Sequence, residues 1–191
     1  MLVSLIVAAM TFVFGLFFLT GSLGYAGRYS MSSGKSAIGA EVFVEKTQGY
    51  VDLLVTLAIV FIVLAAFLYI TACNKRRNYY ITNYIAIGLF VAFALAMVIY
   101  IIIMVSDTQV LFHNEINWEL VADQMIDHPE WPMKESENYQ FIIGYVVAVI
   151  VLIDAALLVL NTVWKVLLMK GEKKLLAMSA KSDSATVEEV A

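Results

Sequence analysis

The sequence predicts an all-α integral membrane protein, a bundle of four transmembrane helices with an amphipathic helix on its outer side. The chain has 191 residues, of which 62% are hydrophobic and 15% are charged. A soluble domain is nearer to half apolar and a quarter charged. The apolar surplus is gathered into four runs, each close to the roughly 20 residues that cross a bilayer. We therefore expect helices at about 2–24, 51–72, 83–105 and 138–169.

The first run, Leu2–Leu19, has the position of a secretory signal. No Lys or Arg precedes it and it is longer than the usual signal core, so we predict a retained helix. Small side chains recur along it at spacings of four, three and four: Ser4, Ala8, Thr11 and Gly15. Because small residues let helices approach closely in lipid, we predict that this face packs against another helix. Lipid-facing helices also carry small residues, so that alternative stays open.

The second and third runs, Leu53–Ile70 and Ile85–Val105, are joined by a short segment. A short connection predicts that these helices are antiparallel neighbours. The third run has the clearest ridge of small residues in the chain, spaced by four: Gly88, Ala92 and Ala96. We predict that this ridge is a helix-packing face.

Cys73 is the only cysteine, so the chain forms no intrachain disulfide and no thiolate metal cluster. It follows the second run beside a basic flank, the position of a candidate S-acylation site, and an unmodified thiol is the alternative. His113 and His128 lie outside the apolar runs, which excludes a bis-histidine haem site in the membrane. We predict no metal and no cofactor.

Two loops are predicted on the outer side, 25–50 and 106–139. The second holds eight acids and one base, −8 + 1 = −7. Within it, Asn114–Asp127 is predicted to be an amphipathic helix whose acids repeat every four residues. This outer acidic face consists of Glu115, Glu119, Asp123 and Asp127. A linear series of carboxylates does not converge on one ion, which favours a solvated face or a docking surface for a basic partner over a calcium site.

The fourth run contains Asp154 in its interior. A charged Asp at the centre of a transmembrane helix costs about 2.5–3.5 kcal/mol on insertion scales. The side chain should therefore face protein or water, and either find partners or stay protonated. Asn161 and Lys165 follow at spacings of seven and four, which places them on the same helical face. The candidate partners inside the bundle are polar groups: Thr11, Thr56, Tyr100 and Asn161.

Three interpretations of Asp154 stay open: a structural hydrogen bond between helices, contact with another subunit, or proton or cation binding during transport. No proline or glycine break of the kind that forms transporter sites interrupts the runs. No His, Ser or Cys constellation provides a nucleophile and base, so we predict that the protein is not an enzyme. We predict an accessory, assembly or scaffolding subunit of a membrane complex. The alternative is a component of a proton- or cation-linked transporter or channel that uses Asp154.

The distribution of basic residues predicts the orientation. With both termini cytoplasmic, inner segments hold eight Lys and Arg residues and outer loops hold four, which agrees with the positive-inside rule. We therefore predict a multi-pass protein of the cell membrane with the acidic loop 106–139 outside. The membrane domain is predicted at 1–174, followed by a disordered cytoplasmic tail at 175–191.

The expected partners are the lipid bilayer and other membrane subunits or a second copy of the chain, and nucleic acid is not among them. The topology superficially resembles that of tetraspan scaffold proteins. Tetraspanins and claudins depend on paired cysteines in their outer loops, and here the predicted outer loops contain none. The sequence therefore does not place the chain in either family.

Overall fold

The computed structural model describes residues 1–20, 39–73, 79–119 and 139–188. Their backbone forms four helices, which we number α1 (Leu2–Thr20), α2 (Ala40–Cys73), α3 (Tyr79–Asn114) and α4 (Tyr139–Glu188). The all-α class and the four-helix architecture predicted from the sequence are thus confirmed. The chain divides into two compact units, Met1–Ala155 and Ala156–Ala191, and α4 contributes to both.

Three helices are long and apolar enough to cross a membrane. Among the described residues these spans are Val42–Cys73, Thr82–Asn114 and Tyr139–Leu176. The fourth apolar helix, α1, is shorter at 19 residues. At 1.5 Å per residue it measures about 28 Å, close to the roughly 30 Å thickness of the hydrocarbon layer.

The helices α2 and α3 extend beyond the predicted spans at the end of the bundle where they meet. We predicted a loop up to residue 50, yet α2 begins at Ala40, and we predicted the end of the next helix at 105, yet α3 continues to Asn114. Both extensions are amphipathic, since Phe43 and Phe112 are buried with ring centroids 5.9 Å apart. Exposed charged residues between such positions lower the local hydropathy, which is why the bounds of these helices were predicted too short.

The neighbours α2 and α3 run antiparallel, as the short connection between them predicts. At one end, Tyr100 Oη donates a hydrogen bond to the Tyr50 carbonyl over 2.7 Å. In the middle the rings of Phe61 and Phe90 stack with centroids 4.8 Å apart. Residue numbers that rise along α2 therefore meet numbers that fall along α3.

The first and last helices are also antiparallel, and three contacts fix their register. Ser4 forms a hydrogen bond with Asp154, and the ring of Phe18 contacts the ring of Phe141. Between them, a Cβ atom added at Gly144 would lie 3.2 Å from the ring of Phe14. The residue numbers in each pair add up to 158 or 159. A nearly constant sum shows that the two helices keep one antiparallel register from Ser4 to Phe18.

Every helix contributes one buried aromatic ring to a cluster at one end of the first unit. The four rings belong to Phe18 of α1, Phe43 of α2, Phe112 of α3 and Phe141 of α4. Phe141 lies 6.3 Å from Phe18 and 5.5 Å from Phe112, between ring centroids, in edge-to-face geometry. Such pairs contribute roughly 0.5–1.5 kcal/mol beyond burial of area, so the cluster ties the four helices together.

The second unit contains the rest of α4, which is helical up to Glu188. We predicted that 175–191 is disordered, and the structure corrects this for most of the segment. The residues at its start favour a helix, because Leu, Ala, Met and Lys, which make up most of 175–181, are strong helix formers. The apolar side chains of Leu175 and Leu176 are nevertheless exposed.

Candidate functional site

The buried carboxyl group of Asp154 is the main polar feature of the transmembrane bundle. Asp154 is 5% exposed and continues the inward-facing side of α4. That side recurs at helical spacings of three and four, with Gly144, Val147 and Val151 preceding it. The backbone position that would hold a core aliphatic residue therefore holds a carboxyl group.

Ser4 of α1 is the hydrogen-bond partner of Asp154. The Ser4 hydroxyl donates to Asp154 Oδ1 over 3.1 Å, and Ser4 is fully buried. The other oxygen, Oδ2, is also buried and has no hydrogen-bond partner among the residues that the structure describes. Since a buried polar atom without a partner costs about 1–3 kcal/mol, the site is only half satisfied.

The small-residue face of α1 lies inside the bundle. Its four members are all buried: Ser4, Ala8, Thr11 and Gly15. A Cβ atom added at Gly15 would lie 3.2 Å from Val55 of α2, while Ser4 contacts α4. This face therefore brings α1 close to two different helices.

The other hydroxyls that the sequence offered to Asp154 are engaged elsewhere. Thr11 donates to the Val7 carbonyl over 2.9 Å, and Thr56 donates to the Asp52 carbonyl over 2.8 Å. Each of these bonds runs back four residues along its own helix. Tyr100 bonds to Tyr50, as described above. The sequence pattern predicts that Ser4 lies on the packing face of α1, but it does not predict the pairing of Ser4 with Asp154.

The predicted polar face of α4 does not form one buried strip. Asp154 is buried, whereas Asn161 and Lys165 are exposed. Helical spacing alone places the three residues on one side of α4, but it does not say how far along the helix that side is covered. The structure brings only Asp154 into the interior of the first unit.

The small-residue ridge of α3 faces away from the packed interior. Gly88, Ala92 and Ala96 are exposed, and a Cβ added at Gly88 would meet no described atom within 4 Å. The inward side of α3 instead carries larger residues, among them Phe90 and Met97. The ridge is therefore exposed among the described residues, and its role as a helix-packing face stays a prediction.

The described part of the outer acidic face is anchored to α2. Lys46 of α2 forms an ion pair with Glu115, and Glu119 is exposed. The other two acids of that face, Asp123 and Asp127, lie outside the described residues. The predicted amphipathic helix is described only up to Glu119, and its first residue, Asn114, belongs to α3.

Gly39, just before α2, lies close to the backbone of Glu115. Its φ of 71° lies in the left-handed region, and a Cβ added there would be 1.7 Å from the Glu115 carbonyl oxygen. No side chain fits at that distance. The turn before α2 therefore requires glycine, because the Glu115 backbone occupies the space beside it.

A second set of polar contacts joins α2 and α3 near the ion pair of Lys46 and Glu115. The Tyr50 hydroxyl donates to Asp107 Oδ2 over 3.3 Å, and the Tyr50 carbonyl accepts the bond from Tyr100. Together with the ion pair of Lys46 and Glu115, these contacts fix the two helices at that end of the unit. Hydrogen bonds between helices in lipid contribute about 0.6 kcal/mol on average.

Cys73, the candidate S-acylation site, is the last residue of α2 and is exposed. Within the described part of the chain, no group of three His, Cys, Asp or Glu side chains is positioned to hold a metal ion.

Comparisons with protein-family models, with characterised proteins and with solved structures find no match to this chain. Three features of its own residues bear on its function: the half-satisfied carboxyl group of Asp154, the exposed ridge on α3 and the charges at the helix ends.

Proposed function

We propose that this chain is a non-catalytic subunit of a membrane protein complex, with an accessory, assembly or scaffolding role. The observation that carries the proposal is the exposure of Gly88, Ala92 and Ala96 on a helix long enough to span a membrane. Small residues on one face are typical of close helix contacts in lipid. The described residues of the four helices pack without that face, so we infer that it receives a helix of another chain or of a second copy.

The glycine at position 88 strengthens this argument. Glycine inside a helix costs roughly 0.5–1 kcal/mol relative to alanine. Around Gly88, the described residues leave open space within 4 Å, so close packing inside the chain does not account for it. Close approach of a second backbone would account for it.

The experiment is purification in a mild detergent, with identification of co-purifying chains, applied to Ala92→Leu. The added side chain would block close approach at the ridge, so we expect loss of the partner chain or of self-association. Ala72→Leu is the matched control, because Ala72 is an exposed alanine on α2 that lies outside the ridge. Purification of the unaltered protein as a monomer without any partner would refute the proposal.

The orientation belongs to the same proposal. Both termini are placed in the cytoplasm and segment 106–139 outside the cell membrane, because eight basic residues against four favour that direction. Protease added to sealed cells is expected to cut within 106–139 and to spare the C-terminal segment. Cleavage of the C-terminal segment alone would reverse the assignment.

A second candidate function is a component of a proton- or cation-linked transporter or channel. The observation that favours it is Asp154 Oδ2, which is buried without a described hydrogen-bond partner. A buried acidic group inside a membrane helix is a typical site for a transported proton or cation. The hydrogen bond from Ser4 to Oδ1 supports the structural role instead.

Asp154→Asn separates the two functions. The amide oxygen can still accept the hydrogen bond from Ser4, but the side chain no longer takes up and releases a proton. In liposomes with an imposed pH gradient, loss of proton flux with an unchanged partner would support the transport function. Unchanged flux, or no flux in either protein, would leave Asp154 a structural residue.

A further inference from the structure

The second unit exposes apolar and basic side chains on the same stretch of helix. Trp164 is 65% exposed and Met178 is 61% exposed. Four lysines lie between them, and all four are exposed: Lys165, Lys170, Lys173 and Lys174. With Glu172 as the one acid, the stretch from Trp164 to Met178 has a net charge of +4 − 1 = +3.

The two kinds of side chain are sorted around the helix. At 100° per residue, the exposed apolar side chains fall in one sector of about 200°, which also holds Lys165 and Glu172. They are Trp164, Leu167, Leu168, Met169, Leu175, Leu176 and Met178. Lys170, Lys173 and Lys174 fall in the remaining sector, together with the half-buried Val166. The stretch is therefore an amphipathic helix with a lysine flank.

The position of this stretch in the sequence places it beyond the hydrocarbon layer. The apolar run that precedes it, from Phe141 to Val163, has 23 residues, and about 20 are enough to cross the layer. The next residues, Trp164 and Lys165, are of the types that anchor helices at the headgroup level. The lysine flank therefore follows the span at the height of the phosphates or beyond it.

We propose that segment 164–178 binds anionic phospholipid headgroups of the bilayer that the chain itself spans. Lys170, Lys173 and Lys174 contact the phosphates, while the apolar side chains at the start of the segment, Trp164, Leu167 and Leu168, contact the acyl-chain boundary. Charge complementarity identifies the ligand, because three clustered ammonium groups attract anionic lipids over zwitterionic ones. The apolar sector favours a membrane over a soluble acidic protein, since a bilayer receives charge and apolar side chains together. This proposal does not depend on the membrane complex proposed above.

The test uses the full chain in nanodiscs of phosphatidylcholine, with and without phosphatidylserine. Cys73→Ser removes the natural thiol, and Gly171→Cys introduces one for an environment-sensitive fluorophore. Gly171 lies between Lys170 and Lys173, and a Cβ there meets no described atom within 4 Å. We expect the emission to move to shorter wavelengths when phosphatidylserine is present. We also expect salt at about 1 M to reverse this shift, because the Debye length there is about 3 Å.

Two triple variants decide whether the lysine charges are responsible. In the variant with Lys170→Gln, Lys173→Gln and Lys174→Gln, the ratio of bound to unbound segment should fall about fivefold per lysine, about a hundredfold in total. The matched variant with arginine at the same three positions should keep the shift. Native mass spectrometry of both variants should show fewer retained phosphatidylserine molecules only in the glutamine variant.

Three outcomes would overturn the proposal. The first is equal emission with and without phosphatidylserine, which would show that the segment does not prefer anionic over zwitterionic lipids. The second is an unchanged shift and lipid count in the glutamine variant. The third is a shift that requires a co-purifying protein, which would identify a protein as the ligand.

Discussion

The Ser4 hydroxyl donates a hydrogen bond to Asp154 Oδ1 over 3.1 Å and so joins the first helix of the chain to the last. Both residues are buried, and the second carboxyl oxygen is unpartnered among the described residues. Replacing Ser4 with alanine removes the one described side-chain donor to this carboxyl group. We expect Ser4→Ala to lower the free energy of unfolding by about 1 kcal/mol, measured by thermal unfolding in detergent with far-UV circular dichroism.

The control for this prediction is a double-mutant cycle with Asp154→Leu. Leucine removes both oxygens, so in that background Ser4→Ala should cost less than it does in the unaltered protein. We expect a coupling of about 0.6 kcal/mol. Identical costs of Ser4→Ala in both backgrounds would contradict an energetically significant bond.

Gly39 is predicted to be the least replaceable of the described glycines. Gly39→Ala forces an L-residue into the left-handed region, with a Cβ 1.7 Å from the Glu115 carbonyl oxygen. We expect the free energy of unfolding to fall by at least about 1–3 kcal/mol. We also expect Glu115 to be displaced, which would break its ion pair with Lys46. Thermal unfolding measures the first effect.

Gly49→Ala is the matched control, because a Cβ at Gly49 meets no described atom within 4 Å. In the interior of α2, alanine is favoured over glycine by roughly 0.5–1 kcal/mol, so this variant should be equally or more stable. Equal destabilisation by both substitutions would mean that the contact of Gly39 with Glu115 is not formed.

Gly144 is predicted to set the distance between α4 and α3. A Cβ at this position would lie 2.5 Å from Val105 Cγ2 and 3.2 Å from Phe14. Gly144→Ala is therefore expected to destabilise the protein by roughly 1–3 kcal/mol through overpacking. Adding Val105→Ala should restore part of the loss. Gly171→Ala, in open space, is the control, and failure of Val105→Ala to restore any stability would refute this explanation.

The ion pair of Lys46 and Glu115 is predicted to contribute little to stability. The two side chains are 48% and 30% exposed, so water and salt screen their charges. We expect Glu115→Gln to cost less than about 1 kcal/mol, and to cost still less at high salt. A larger cost that does not depend on salt would show that Glu115 acts through its packing rather than its charge.

The elements that the sequence predicts well are those that hydropathy controls. Long apolar runs predict the four helices because a bilayer requires an internally bonded backbone across its whole thickness. The extension of α2 to Ala40 is different. There, buried Phe43 and Thr47 alternate with exposed charged residues, and helix packing outside the apolar run determines the structure.

Which side of a membrane helix faces inward is harder to predict, because lipid is as apolar as the protein interior. Gly88 and Phe90 of α3 illustrate this: the small residue is exposed and the aromatic ring is buried. The partner of Asp154 escaped prediction for a related reason. Ser4 and Thr11 share one face of α1, and only the register between α1 and α4 decides which of them meets the carboxyl group.

The closing of the bundle by α1 and α4 has a consequence for biosynthesis. Ser4 and its partner are separated by 150 positions in the sequence. At about 5–20 residues per second, a ribosome needs roughly 8–30 s to reach Asp154 after it has made Ser4. During that interval α1 already has its apolar length but not its last neighbour. The newly made α1 must wait in the insertion machinery or in the lipid until synthesis of α4 supplies the carboxyl group.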